Sequence, residues 1–260
     1  TIQKLYTNAS TVNITVYSAN AGPFGYVGLG ASETYYVGSS GFKYPQLTNA
    51  LRAARTTVAD TNSVASLPAG DPLGGSTNMW LLPRAEAKAL NVLISQTDTN
   101  FDGAVGFATD AVYSFDPNNR AVAGAYDFIG VAEHELTEVM GRSTLGLDSA
   151  NFIPYDLFRF TTNGVRSLNA YDSNVYFSVD NGVTALKYFN PSGNGGDIQD
   201  WASSTPPDSF DAFVPSGNEL TLSAADLTAV DILGYKLNYQ PPSLTGAMLA
   251  SNVFQLNFTS

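Results

Sequence analysis

The chain has 260 residues, of which 44% are hydrophobic and 12% are aromatic, and this composition excludes an intrinsically disordered protein. Only 13% of the residues are charged, and the formal net charge of −11 comes without any cluster of lysine or arginine. We therefore expect no nucleic-acid partner and no anionic membrane surface as a partner. The chain has no cysteine, which excludes disulfides, thiolate metal sites and cysteine catalysis.

The N-terminal half predicts a mixture of short strands and helices. In chain order, we predict a strand at residues 12–17, a Gly-rich loop at 22–30, a helix at 44–58, a long loop at 59–78, a helix at 83–93 and strands at 104–108 and 111–115. The glycines at 22–30 do not fit a nucleotide-binding fingerprint, because no suitable strand precedes them and no Lys-Ser/Thr pair follows.

The strongest helix of the chain is predicted at residues 126–140, where apolar side chains recur at helical spacing. Asp127 suits the N-cap and Gly141 suits a left-handed C-cap. Beyond it, residues 145–215 predict turns and short strands, including a hairpin from 175–179 through 180–182 into 185–189. A helix at 223–233 and a strand at 253–258 end the chain. No apolar run reaches the length of a membrane span.

The single histidine, His134, lies in the strongest helix and is followed by Glu138 at i+4. These two side chains share a helix face and can hold one ion between them. In H-E-x-x-H enzymes two histidines bind zinc, and the glutamate after the first one takes a proton from water. Here Glu135 occupies the glutamate position, and Glu138 replaces the second histidine with a harder carboxylate ligand, which makes manganese or calcium more competitive with zinc.

Other interpretations of the same helix remain open. Glu138 and Arg142 are also i and i+4 and suit a simple ion pair. Glu135 and Glu138 would be the two carboxylates of a glycoside hydrolase with Trp201 stacking on a sugar, although neighbours on one helix flank a glycosidic bond poorly. A third alternative is a catalytically inactive scaffold that acts as a secreted binding or matrix protein.

Residues 126–142 resemble a bacterial family of exported zincin-like proteins that are classed as metalloproteases by an HExxE helix motif. Residues 102–107, 195–201 and 223–235 are similar to the same family, and the resemblance covers roughly residues 10–237. It implies an α+β, zincin-like metallopeptidase fold, with a mixed sheet, an active-site helix and a loop-rich C-terminal part. The expected domains are a catalytic domain over residues 1–238 and a C-terminal linker and strand over 239–260.

The resemblance also implies a secreted, metal-dependent peptidase in which Glu135 is the general base. The sequence begins at Thr1 without Met, as a mature protein does after removal of a signal peptide. We expect a monomer that binds a polypeptide substrate along the strand at 103–108, which is expected to be the sheet edge. Tyr155 is a candidate donor to the developing oxyanion.

A zincin needs a third protein ligand downstream of the helix, and no second histidine is present. Asp156 is the first candidate, followed by Asp197 and Asp200. The two later aspartates belong to a Gly-rich segment, residues 194–200, that could instead bind a structural calcium ion, although the full EF-hand spacing is missing. The expected cofactor is Zn²⁺, with Mn²⁺ or Ca²⁺ as the alternatives.

Overall fold

The computed structural model describes residues 2–18, 24, 28–37, 42–74, 79–145, 147 and 151–238, together with the backbone of 243–250 and 253–259. Most of the predicted Gly-rich loop at 22–30, and the linker at 239–242, lie outside the described residues.

Six α-helices form in the described part of the chain. They are α1 (Ile2–Leu5), α2 (Tyr44–Ala54), α3 (Val58–Ser66), α4 (Arg84–Leu90), α5 (Phe128–Val139) and α6 (Ala224–Asp231). A 3-10 helix, Pro154–Phe158, lies between α5 and α6. The helices at 44–58, 83–93, 126–140 and 223–233 are therefore confirmed, with shorter bounds than predicted.

The strands are short and belong to several small sheets, so the chain has an α+β architecture. They are β1 (Ile14–Ser18), β2 (Gly30–Thr34), β3 (Tyr36–Val37), β4 (Met79–Trp80), β5 (Leu82–Pro83), β6 (Gly103–Phe107), β7 (Tyr113–Ser114), β8 (Tyr126–Asp127), β9 (Asn151–Phe152), β10 (Arg159–Thr162), β11 (Val165–Arg166), β12 (Tyr176–Phe177), β13 (Lys187–Tyr188), β14 (Ser243–Ala250) and β15 (Val253–Thr259).

The sheet beside helix α5 has the order β1-β6-β2. β6 pairs in parallel with β1 and antiparallel with β2. The strand at 103–108 is therefore central, and the prediction that it is a free edge is wrong. Among the described strands, β2 is the edge on the side of α5, and α5 packs against it. The order could not be predicted locally, because it depends on the pairing of β2 with a strand about seventy residues later.

Helix α5 begins and ends as the sequence predicts. The Asp127 carboxylate accepts a hydrogen bond from the backbone N–H of Ile129, which satisfies one of the free donors of the first turn. After the helix, Gly141 has φ of +119°, a conformation that residues with a Cβ rarely adopt. These two ends place the His134-to-Glu138 segment in the last two turns of the helix.

Two other predictions need correction. Residues 58–66 form α3 rather than a loop, because Thr57 and Asp60 make a capping box that starts a helix in a polar segment. The C-terminal segment contains two strands rather than one: β14 and β15 pair antiparallel as a hairpin. The predicted hairpin of β12 and β13 is confirmed.

The core lies between α2, α4, α6 and the strands after α5, and it is rich in aromatic residues. Its largest fully buried apolar side chains include Trp80, Trp201, Tyr155, Phe158 and Phe177. This packing fixes the segments that flank α5 on both sides. Among the described residues, no helix combines the length and apolarity that crossing a bilayer requires.

Candidate metal centre

Three side chains converge where α5 faces the loop before Trp201. One ligand atom each from His134, Glu138 and Asp200 lies within 4.8 Å of the other two. Nε2 of His134 is 3.5 Å from Oε1 of Glu138 and 3.3 Å from Oδ1 of Asp200. Two ligand atoms about 2.1 Å from a tetrahedral ion are about 3.4 Å apart, so this spacing suits a zinc-sized cation.

The imidazole of His134 is oriented by the backbone of a distant loop. Its Nδ1 lies 2.9 Å from the carbonyl oxygen of Ser209. A carbonyl oxygen can only accept a hydrogen bond, so Nδ1 carries a proton and donates a hydrogen bond to the carbonyl oxygen of Ser209. Nε2 is then the nitrogen that points at the two carboxylates. Metal-binding histidines are fixed in this manner by an acceptor on the other ring nitrogen.

Two polar side chains hold the Glu138 carboxylate. Oε2 accepts a hydrogen bond of 2.6 Å from the Ser32 hydroxyl on β2, and Oε1 accepts one of 3.0 Å from Nε2 of Gln199. Thr34 donates to the backbone carbonyl of Glu138. Because Glu138 is only 4% exposed, these donors fix the rotamer that brings its carboxylate next to His134.

Asp200 is held by the fully buried Arg142, which donates to Oδ1 over 2.7 Å. The same guanidinium donates to the backbone carbonyl of His134 and to the Thr137 hydroxyl. It also lies 4.2 Å above the ring of Phe210, a cation–π contact. Arg142 therefore joins the end of α5 to the loop that provides the third carboxylate.

The electrostatics of the group favour positive charge at its centre. Burial alone would lower the pKa of His134, but the charge of Asp200 raises it well above its ordinary value. Burial alone would raise the pKa of Glu138, whereas the hydrogen bond with His134 and the charge of Arg142 lower it. A divalent cation and a proton on His134 are thus competing occupants of the same negative environment.

Glu135 lies beside the three candidate ligands and lines two cavities. The larger, of about 490 Å³, is lined by His134, Glu135 and Asp200 among other residues; the second, of about 470 Å³, is lined by His134, Glu135 and Glu138. Burial, followed by the charge of Glu138, raises the pKa of Glu135. Its carboxyl group occupies space that a side chain at Gly30 would fill, since a Cβ there would lie 2.7 Å from Cγ of Glu135.

The structure does not bring Asp156 or Tyr155 into this group. Asp156 lies in the 3-10 helix, where its Oδ2 accepts from the backbone N–H of Ile153, and the residue is fully buried. Tyr155 is also fully buried, packs on Phe177 and Phe189, and lines neither cavity. These positions suit neither a metal ligand nor a donor to a substrate oxyanion. The Pro154 turn directs both side chains into the core instead.

Asp197 and Asp200 face different surroundings. Asp200 is buried and joins the group of candidate ligands, whereas Asp197 is exposed and lines both cavities without belonging to that group. Asn194, the first residue of the predicted calcium loop, is hydrogen bonded to Asn190, which precedes the loop. No second group of three His, Cys, Asp or Glu ligands occurs in the described part of the chain.

The glycoside hydrolase interpretation needs a nucleophilic carboxylate and an aromatic platform. The Glu138 carboxylate accepts hydrogen bonds from Ser32 and Gln199 and forms an ion pair with Arg142. Trp201 is 0% exposed, and its indole N–H donates to Asp226. It cannot stack on a sugar without leaving the core, so this geometry disfavours sugar hydrolysis.

Sequence reasoning missed three groups that support the ligands: the Ser32 hydroxyl, the Gln199 amide and the Ser209 carbonyl. Ser32 follows the Gly-rich loop and Gln199 precedes Asp200, but neither has a spacing relative to His134 that would reveal it. The Ser209 contact uses the backbone, which carries no side-chain signal in the sequence.

Comparisons with protein-family models, with curated proteins and with solved structures found no match to this chain.

Proposed function

We propose that this chain is a metal-dependent hydrolase, specifically a metallopeptidase of the HExxE type with a zincin-like fold. The observation that carries the proposal is the convergence of His134, Glu138 and Asp200, with Glu135 beside them at the wall of two cavities. Three protein ligands that leave one coordination position open are characteristic of catalytic rather than structural zinc sites.

The donor set fits a divalent cation of intermediate hardness. One imidazole and two carboxylates would hold zinc, and the two oxygen ligands make manganese a realistic competitor. Calcium is a weaker candidate, because it prefers six to eight oxygen ligands. Each proposed ligand also has the supporting hydrogen bond that metal sites require: Ser209 for His134, Ser32 for Glu138 and Arg142 for Asp200.

A divalent ion in this site would polarise a carbonyl group and lower the pKa of a water molecule. Glu135 would then take the proton of the attacking water and deliver it to the nitrogen of the leaving amine. Positive charge between the ligands favours the ionised form of Glu135, which offsets the effect of burial on its pKa. Because Gly30 has no side chain, the Glu135 carboxyl group has room to reach both the attacking water and the nitrogen of the leaving amine.

The substrate is proposed to be an extended polypeptide that pairs with β2. This strand is an edge of its sheet among the described strands, and its residues 30–34 line the second cavity beside Glu135 and Glu138. Edge strands bind extended peptides through backbone hydrogen bonds. A peptide on β2 would have its backbone next to the proposed ligands, which the central strand β6 could not achieve.

We further infer an exported, monomeric protein. The support for export is compositional: only 13% of the residues are charged, and a chain without cysteine does not depend on a reducing compartment.

A second candidate is an inactive binding protein on the same scaffold. It is favoured by the balance of charge among the four side chains of the site. Arg142 and a protonated His134 balance the charges of Glu138 and Asp200, and both carboxylates are already hydrogen bonded. A balanced network of this kind can persist as a structural feature without any ion.

Metal analysis by plasma mass spectrometry, on untagged protein purified without chelators, separates the two candidates. The peptidase proposal expects about one equivalent of zinc or manganese, lost in His134→Ala. Glu135→Gln should keep the metal and lose the hydrolysis of an unfolded protein substrate such as casein. A protein that contains no metal, takes up none from added zinc or manganese and hydrolyses nothing would support the inactive scaffold.

A further inference from the structure

The larger cavity combines apolar walls with carboxylates. Its apolar lining includes Val131, Phe213, Val214 and Leu220, and its acidic lining is Glu135, Asp197, Asp200 and Asp211. No lysine or arginine occurs among the described residues that line either cavity. Nearby basic side chains are already paired: Arg142 with Asp200, Arg120 with Asp127 and Lys187 with Asp208.

Three of the four carboxylates in this cavity have other partners or roles. Asp200 accepts from Arg142, and Glu135 is the proposed base. Asp211 accepts from the backbone N–H groups of Ser204 and Asp208 and from the Ser204 hydroxyl. The Asp197 carboxylate has no hydrogen-bond or ion-pair partner among the described residues, although its neighbours at residues 190–200 are extensively bonded.

An aromatic ring lies next to Gly196, the residue that precedes Asp197. Phe213 is 48% exposed and lines the larger cavity. It packs directly over the backbone of Gly196, because a Cβ at that glycine would come within 2.8 Å of the ring. The Phe213 ring therefore lies over the residue that precedes Asp197 and lines the same cavity as Asp197, together with the apolar side chains named above.

We propose that Asp197 and Phe213 form a specificity subsite for a lysine or arginine side chain of the polypeptide substrate, next to the scissile bond. The carboxylate would pair with the cationic end of the side chain. The ring of Phe213 would contribute a cation–π contact, and the apolar wall would cover the aliphatic stem. An acidic side chain would meet the charge of Asp197 and find no lysine or arginine among the described lining residues.

This inference rests on the proposed peptidase function, but it can be tested without turnover. The protein is the zinc-loaded Glu135→Gln variant, which is expected to bind peptide without cleaving it. The probes are three short polyalanine peptides that differ only at one central residue: lysine, norleucine or glutamate. Norleucine retains the aliphatic stem without the charge. Isothermal titration calorimetry gives the three dissociation constants.

The lysine peptide should bind about 10-fold more tightly than the norleucine peptide, and the glutamate peptide should bind most weakly. Adding Asp197→Asn should abolish the difference between lysine and norleucine. Adding Asp110→Asn should preserve it, since Asp110 is exposed and lines neither cavity.

Equal binding of lysine and norleucine peptides, or a preference that survives Asp197→Asn, would overturn the subsite. The absence of detectable binding by all three peptides would also overturn it. The proposed function is tested separately, by the metal content of the wild-type protein and by its hydrolysis of casein. Neither measurement depends on Asp197 having this role.

Discussion

Arg142, fully buried, donates a hydrogen bond of 2.7 Å to Oδ1 of Asp200, and that same oxygen lies 3.3 Å from Nε2 of His134. The guanidinium thus fixes Asp200 in the position of a third ligand, 62 residues beyond Glu138 in the sequence. Supporting hydrogen bonds of this kind orient the carboxylates that bind metals in proteins.

The first prediction compares the two aspartates that the sequence offered as third ligand. Asp200→Asn should weaken the affinity for zinc at least about 100-fold, because the site loses a charged ligand. Asp156→Asn should leave zinc affinity unchanged, since Asp156 lies in the core and contacts Ile153. Competition titration with a chromophoric chelator measures both constants. Equal losses in the two variants would remove Asp200 from the ligand set.

The second prediction concerns Ser32, which supports Glu138 from β2. Ser32→Ala removes the donor to Oε2 of Glu138 and should weaken zinc affinity about 10-fold. Thr34→Val is the matched control, because the Thr34 hydroxyl donates to the backbone carbonyl of Glu138 instead. It should lower the free energy of unfolding by about 1 kcal/mol and leave zinc affinity unaltered. The opposite pattern would contradict the proposed orientation of Glu138.

The third prediction uses two nearby glycines. Gly30→Ala would place a Cβ 2.7 Å from Cγ and 2.8 Å from Cδ of Glu135, so the proposed base must move. We expect kcat/KM to fall on the order of 100-fold while metal content is retained. In Gly28→Ala the new Cβ meets nothing within 4 Å, and activity should be preserved. Full activity in Gly30→Ala would show that the position of Glu135 is not critical.

The fourth prediction concerns Asp226 and Asp208, which share a hydrogen bond near Trp201. Burial and then Asp208 raise the pKa of Asp226 to about 8, so the folded protein keeps a proton that the unfolded chain releases near pH 4. The contribution of Asp226 to the free energy of unfolding therefore falls as pH rises between these two values. Asp226→Asn cannot ionise. Its amide nitrogen also cannot accept one of the two hydrogen bonds that Asp226 receives from the Trp201 indole and the Ser223 backbone, a loss of stability that does not depend on pH.

The free energy of unfolding of Asp226→Asn, relative to that of the wild type, should rise by about 2 kcal/mol as the pH increases from 4 to 8. Asp208 has a pKa shifted downwards, and this opposite shift reduces the difference below the full value for Asp226. Urea unfolding at several pH values gives the comparison. Parallel stability curves for the two proteins would show that the pair holds no shared proton.

The sequence predicted the elements that depend on local signals. Helix α5 has its N-cap at Asp127 and its glycine at 141, and both operate as expected. His134 and Glu138 meet because their spacing is a property of any α-helix. The polar helix α3 was missed because its amphipathic pattern is weak, although the Thr57–Asp60 capping box was visible in the sequence.

The remaining errors share a physical cause, which is long-range chain packing. Asp156 and Asp200 are equivalent candidates by residue type, and the path of the chain after α5 decides between them. That path depends on Arg142, Phe210 and the core around Trp201. The edge position of β2 likewise results from pairing between distant segments, which no local pattern encodes.

The hydrogen bonds that hold the side chains of His134, Glu138 and Asp200 each join distant parts of the chain. Ser32 and Glu138 are 106 residues apart, His134 and Ser209 are 75 apart, and Arg142 and Asp200 are 58 apart. A peptide comprising α5 alone would lack the third ligand and all the groups that orient the first two. An ion in this site would thus act as a non-covalent cross-link in a chain without disulfides, and its binding energy would add to the resistance of the whole domain to unfolding.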